Sequence, residues 1–121
     1  MNFKPCSEKE IADRKIWAKA VYPFEILDAA EKVSQSGGNP MFELKVKISR
    51  PDGSARTITD YLLEKRPEKL RHASAACGVL DKYERGSLAD SDFRTKRGKL
   101  KLGVEKGKNG YPDRNVVADY V

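Results

Sequence analysis

Few side chains in this sequence could do covalent or acid–base chemistry, and their spacing does not bring them together. There is one histidine, His72, and there are two cysteines, Cys6 and Cys77. Neither cysteine belongs to a CxxC or to a zinc-ligand spacing. One histidine and two scattered thiols make a poor Cys–His nucleophile pair. The phosphate loop GxxxxGKS/T, GxGxxG, the HExxH zinc helix and the GxSxG elbow are all missing. Carboxylates are plentiful, yet no DxD-type cluster suggests a two-metal site. These residues point away from an enzyme, with no catalytic residue, no metal site and no cofactor. Two reduced thiols fit a cytoplasmic protein.

The chemistry the sequence does support is electrostatic. Arg94, Lys96, Arg97, Lys99, Lys101, Lys106 and Lys108 fall in one short segment, opposed there by Glu105 alone. That segment holds the whole net charge of +6, and the remainder of the chain balances to zero. A polyanion partner is the physical reason to concentrate charge this way. Single-strand nucleic-acid binders add aromatic platforms to such a surface. The candidates are Trp17, Tyr22, Tyr61, Phe93 and Tyr111. Tyr22 alternates with Phe24 on one face and favours core, and Phe42 is core. Tyr111, in a Gly-rich basic loop, is the strongest platform, with Tyr61 and Trp17 after it.

Something must position these groups. The chain has 121 residues, enough for one domain. Residues 1–16 read as an arm or a short helix, with Ser7 and Glu10 spaced as a capping box. Tyr22, Phe24 and Ile26 alternate through a strand in which Pro23 demands an edge or a bulge. Ser34 to Pro40 is a loop signal. From Met41 to Ile48, Phe42, Leu44, Val46 and Ile48 point one way, and Glu43, Lys45 and Lys47 the other. Pro51-Asp52-Gly53-Ser54 is a tight turn into a third strand, Ala55 to Leu63. Pro67 opens a helix with Leu70, Ala73, Ala76 and Cys77 on one face, and Gly78 ends it. His72 falls off that stripe, at the surface. Asp81 to Phe93 reads as an irregular connector. Lys99 to Glu105 is a fourth strand, with Leu100, Leu102 and Val104 inward and Gly103 marking a bulge. Asn115 to Val121 is the fifth.

Three strands, a helix and two strands is the element order of an OB-like five-stranded barrel, with its helix between strands 3 and 4. Residues 17–121 form that domain. Lys45, Lys47, Lys99 and Lys101 then share an outward basic face, Arg94, Lys96 and Arg97 lead into it, and Lys106, Lys108 and Arg114 flank the last loop.

The order of segments also resembles a family of small phage and prophage single-stranded DNA-binding proteins. The likeness is carried by Tyr22-Pro23-Phe24-Glu25-Ile26-Leu27-Asp28-Ala29-Ala30-Glu31-Lys32, Ser34-Gln35-Ser36-Gly37-Gly38-Asn39-Pro40-Met41 and Glu43-Leu44-Lys45-Val46-Lys47-Ile48. It continues through Asp60-Tyr61-Leu62-Leu63, Lys69-Leu70-Arg71-His72 and Gly78-Val79-Leu80-Asp81-Lys82-Tyr83-Glu84. Gly98 to Lys106 and Tyr111 to Tyr120 complete it. It implies an OB-like fold and a part in phage replication or recombination in the cytoplasm of a bacterial host. The partners it implies are single-stranded DNA and a recombinase, nuclease or helicase. Lys19-Ala20-Val21 replaces the family's Pro-Gly or Lys-Gly turn. Asp119-Tyr120-Val121 offers no acidic recruiting tail.

The alternative class is an OB-like protein-interaction module that recruits replication or recombination proteins, since fold does not fix function. Unpaired sheet edges would let subunits join as a homo-oligomer. No apolar run reaches membrane-span length and the N-terminus lacks an apolar signal core, so no membrane partner is expected.

Overall fold

Alternation at period two organises the protein around one sheet. The computed structural model describes residues 1–5, 7, 16–33, 38–107, 110 and 113–121. Its strands are β1 (Ala20–Val33), β2 (Pro40–Ser49), β3 (Ala55–Leu63), β4 (Arg97–Glu105) and β5 (Arg114–Tyr120). Helix α1 (Pro67–Ala76), helix α2 (Leu80–Glu84) and a 3-10 turn (Asp90–Asp92) lie between β3 and β4. The fold is mainly β, with an antiparallel sheet in the order β3-β2-β1-β4-β5. Residues 8–15 of the expected helix and residues 34–37 of the expected Ser34–Pro40 loop lie outside the described residues.

The inward rows follow the sequence pattern. Tyr22, Phe24, Ile26, Phe42, Leu44, Val46, Ile48, Leu62, Leu100 and Leu102 are all buried. β1 is the longest strand because it serves two neighbours. Ala20–Glu25 pair with β4, and Phe24–Val33 pair with β2. A register shift between Ile26 and Asp28 bends it where the neighbours change over, and a bulge of this kind increases twist. Pro23 lies where β1 is laddered to β4 alone, which a residue without an N–H tolerates. The irregularity expected at Gly103 falls one step earlier on β4, between Lys101 and Leu102.

The connector from Asp81 to Phe93 is more ordered than its sequence suggests. It begins in α2 and ends in the 3-10 turn, where Asp92 accepts hydrogen bonds from Lys82 (2.6 Å) and the Ala89 amide (2.8 Å). The Lys82 hydrogen bond, then the Ala89 amide, hold the Asp92 carboxyl below the usual range. Phe93 is buried in the core, its ring 5.2 Å from that of Phe42, so it is no stacking platform. Helix α1 buries Ala73 and Ser74 against the sheet, and Cys77, which caps it, is buried as well. It packs so close that a Cβ on Gly98 would meet the Ala76 carbonyl at 2.9 Å and the Phe24 ring at 3.0 Å. Burial pushes the Cys77 thiol up to about 11.

No ladder joins β3 to β5, so backbone pairing leaves the sheet open where a barrel would close. The two edges nevertheless lie beside each other, and side chains bridge them. At one end, Arg56 on β3 donates to Asn115 Oδ1 on β5 (3.0 Å). The same oxygen accepts from the Trp17 amide (2.9 Å), and Asn115 Nδ2 donates to the carbonyls of Trp17 and Gly103. At the other end Asp60, only 7% exposed, accepts from Tyr120 (2.7 Å) and from Lys69 of α1 (2.7 Å). Lys69 also donates to the Val117 carbonyl (3.0 Å). A buried carboxylate is tolerable only when neutralised and hydrogen-bonded, and here both oxygens are engaged.

Two predictions follow from this geometry. Burial first, and then the adjacent Asp60 charge, hold Tyr120 protonated well above the usual tyrosine range. The folded state therefore keeps that proton to higher pH than the unfolded chain. Its stabilisation is complete below about pH 10 and falls away above it. Urea midpoints should hold to about pH 10 and drop above it, and Tyr120→Phe should flatten that drop while costing about 1–3 kcal/mol at pH 7. An unchanged alkaline slope in the variant would remove this role. Thr95, a β-branched residue, sits at φ 65°, which is costly backbone. Thr95→Gly should stabilise by about 1 kcal/mol with no change in m-value.

Candidate nucleic-acid interface

The outward face of the sheet collects lysines because alternation sends every second residue of β2 and β4 to the same side. Across four strands, Thr57, Lys47, Glu25 and Arg97 stand in register, and Thr59, Lys45 and Asp28 form the next row. Beyond Arg97 on β4, Lys99 faces Pro23 and Lys101 faces Val21. Lys45, Arg97, Lys99 and Lys101 are exposed and Lys47 is half-buried. Among the described residues no ion pair engages Lys45, Lys47, Lys99 or Lys101. Lys45 donates only to the Thr59 hydroxyl (3.1 Å). Four ammonium groups with no ion pair among the described residues thus share one surface, which raises the local potential for anions.

The acids on this face are mostly committed. Glu25 pairs with Arg97 (3.2 Å), and Glu43 with Lys32 (3.0 Å). Asp119, in register with Lys101, takes His72 Nδ1 at 2.9 Å from both its oxygens. Burial works to raise the Asp119 carboxyl. The hydrogen bonds from His72 and the Tyr120 amide, with the His72 and Lys101 charges, outweigh it and hold the group below the usual range.

Other basic residues of the charged segment do different work. Arg94 donates twice to the Ala29 carbonyl (3.1 and 2.9 Å) and pairs with Asp28 and Asp90 (each 3.4 Å). It clamps the bulged part of β1 to the 3-10 turn. Lys96 is half-buried, its charge acting on Asp92 and Cys77, away from the lysine rows. Lys106 is exposed beyond β4. Arg114, 70% exposed, pairs with Glu105 across the β4–β5 ladder (3.0 Å). Lys108 and Tyr111, the strongest platform by sequence, lie outside the described residues.

The aromatics separate cleanly. Trp17 is 2% exposed, tilted against Tyr22 and capped by the Arg50 guanidinium 4.0 Å over its ring, with Arg56 at 5.2 Å. It is a core residue, not a platform. Its apolar neighbours were legible, but of the two arginines that cover it Arg50 follows β2 and Arg56 lies on β3, and no local spacing announces them. Tyr61 is 45% exposed on β3. It borders a groove of about 540 Å³ between β3 and β5, with Arg66 and Lys69 from the α1 side and Arg114 from β5. Arg66 and Lys69 did not stand out in the sequence because Glu64 and Glu68 offset most of their segment's charge. The pairing of Lys65-Arg66 with the helix-opening Pro67 was the available signal.

Among the described residues no helix is long and apolar enough to cross a membrane, and no cluster of three His, Cys, Asp or Glu could hold a metal. No protein-family model and no curated protein matches the chain.

The clamp and the lysine rows should separate experimentally. Arg94→Ala should cost about 1–2 kcal/mol in urea denaturation. Lys99→Glu with Lys101→Glu should stay within about 0.5 kcal/mol of the parent, as surface changes do. A large loss for the second variant would make those lysines structural.

Proposed function

We propose that this chain is a sequence-independent single-stranded DNA-binding protein of phage replication or recombination, acting in the bacterial cytoplasm. The observation that carries the reading is the set of unpaired lysines, Lys45, Lys47, Lys99 and Lys101, on one sheet face. In this reading the fold is an OB-like barrel whose seam between β3 and β5 is bridged by side chains. An OB fold binds oligonucleotides on its strand 2–3 face and the loops beside it, which is where Lys45, Lys47 and Tyr61 stand.

The mechanism is phosphate neutralisation. The lysines offer mobile point charges that track a backbone without reading bases. Arg97 joins them when a phosphate displaces Glu25. Single-strand coating would recruit a recombinase, nuclease or helicase, and the sheet edges would serve contacts between copies. Four phosphate contacts give a salt slope of about −2.8, so a fourfold rise in salt weakens binding roughly 50-fold.

Fluorescence anisotropy with labelled oligo-dT, duplex DNA and single-stranded RNA at two salt concentrations tests this. Oligo-dT should bind at low salt, with the stated salt response, and the Lys99→Glu, Lys101→Glu variant should lose it. Absence of oligo-dT binding at low salt would end the reading. One observation favours the protein-interaction alternative. Val21, Gly103, Val104, Val116 and Ala118 line a shallow, largely apolar hollow of about 540 Å³ between Lys19 and Lys101. That reading predicts salt-insensitive capture of a protein partner and no nucleic-acid binding.

A further inference from the structure

We infer that the groove between β3 and β5 is a nucleotide pocket, which seats one base against Tyr61 and a phosphate between Arg66 and Arg114. The inference rests on the single-strand reading and names one binding unit within it, beside the row that carries Lys45 and Thr59.

The groove's floor is fixed and already satisfied. Asp60 is neutralised by Lys69 and bonded by Tyr120, and the Asn115 amide is fully used by Arg56, Trp17 and Gly103. A ligand therefore meets no unpaired buried charge there, and the floor does not rearrange to admit it. The half-buried Ile58 and Val116 give apolar walls. Volume is adequate, since about 540 Å³ lies within the range of small-ligand sites.

The mouth carries the recognition chemistry. Tyr61 is the one large aromatic among the exposed apolar side chains of the sheet, and it lines the groove. Arg66 is exposed, and no ion pair among the described residues engages it. Arg114 is held by Glu105 at 3.0 Å in an exposed pair of the kind that contributes little. A phosphate can take it over, because arginine meets phosphate with two parallel N–H donors. An aromatic ring beside two guanidinium groups is the complement of a base with its phosphate, and the ring accepts any base because every base has a stacking face. This pocket supplies the stacking that the lysine rows lack. Arg66 and Arg114 are rigid forks, where Lys45 and Lys99 are loose point charges.

The test titrates dTMP, dAMP and thymidine into the full chain, followed by amide chemical shifts. Saturable shifts should centre on Tyr61, Arg66 and Val116, with thymidine binding more weakly than dTMP. Tyr61→Ala should weaken dTMP roughly tenfold or more, and Tyr61→Phe should keep it. Arg66→Glu should abolish it, while the Lys99→Glu, Lys101→Glu variant should bind dTMP within about twofold of the parent. Shifts centred on Lys99 and Lys101, no saturation, or unchanged affinity in Tyr61→Ala and Arg66→Glu would overturn the pocket. If oligo-dT binds normally to those two variants, the pocket falls and the single-strand reading stands. If dTMP fills the pocket but oligo-dT is not bound, the pocket stands and the single-strand reading falls.

Discussion

A carboxylate buried where two strand edges meet is the constraint on which this architecture depends. β3 and β5 lie beside each other without a ladder, and the side chains of Asp60, Lys69, Tyr120, Arg56 and Asn115 bridge them. Each is engaged, and no described buried side-chain nitrogen or oxygen lacks a partner. That completeness matters because a half-satisfied buried network costs more than an apolar one. The arrangement also ties α1 to both strands, because Lys69 donates to Asp60 of β3 and to the Val117 carbonyl of β5. It leaves a groove, where a ladder would have left none.

The lysine rows depend on the same frame. β1 bends where it changes partners, which brings β2 and β4 onto one continuous outward surface. Arg94 fastens that bend to the Ala29 carbonyl and to Asp28 and Asp90. Charge is thus divided by task within a few residues. Arg94 is spent on the fold, Arg97 is held in an exposed pair, and Lys99 and Lys101 remain available. A net charge of +6 says little by itself about binding. Which cations have no carboxylate partner says more.

The strands were legible because their signal is local. Phe42 to Ile48 and Tyr22 to Ile26 alternate without interruption, and β3 ends where its sequence suggested. α1 likewise announced itself through Pro67 and Gly78, the latter at φ 77°. What stayed hidden was set by distant contacts. Trp17 looked like a platform because nothing near it in sequence places Arg50 over its ring. α2 and the 3-10 turn escaped because their order comes from Phe93 packing and Asp92 hydrogen bonds rather than from periodicity. Of the basic candidates, Lys45, Lys47, Lys99 and Lys101 fell on one face, as alternation required. Arg66 and Lys69 joined the groove only through the tertiary fold.

The proposed reading makes a residue-level claim about which lysines meet the ligand, and lysine-reactive footprinting read by mass spectrometry tests it most directly. The full chain would be acetylated at low salt with and without oligo-dT. Protection of Lys45, Lys47, Lys99 and Lys101, with Lys82 and Lys32 unchanged in their ion pairs, is the predicted result. Equal acetylation of the four lysines with and without oligo-dT, or protection confined to Lys82 and its surroundings, would contradict the account.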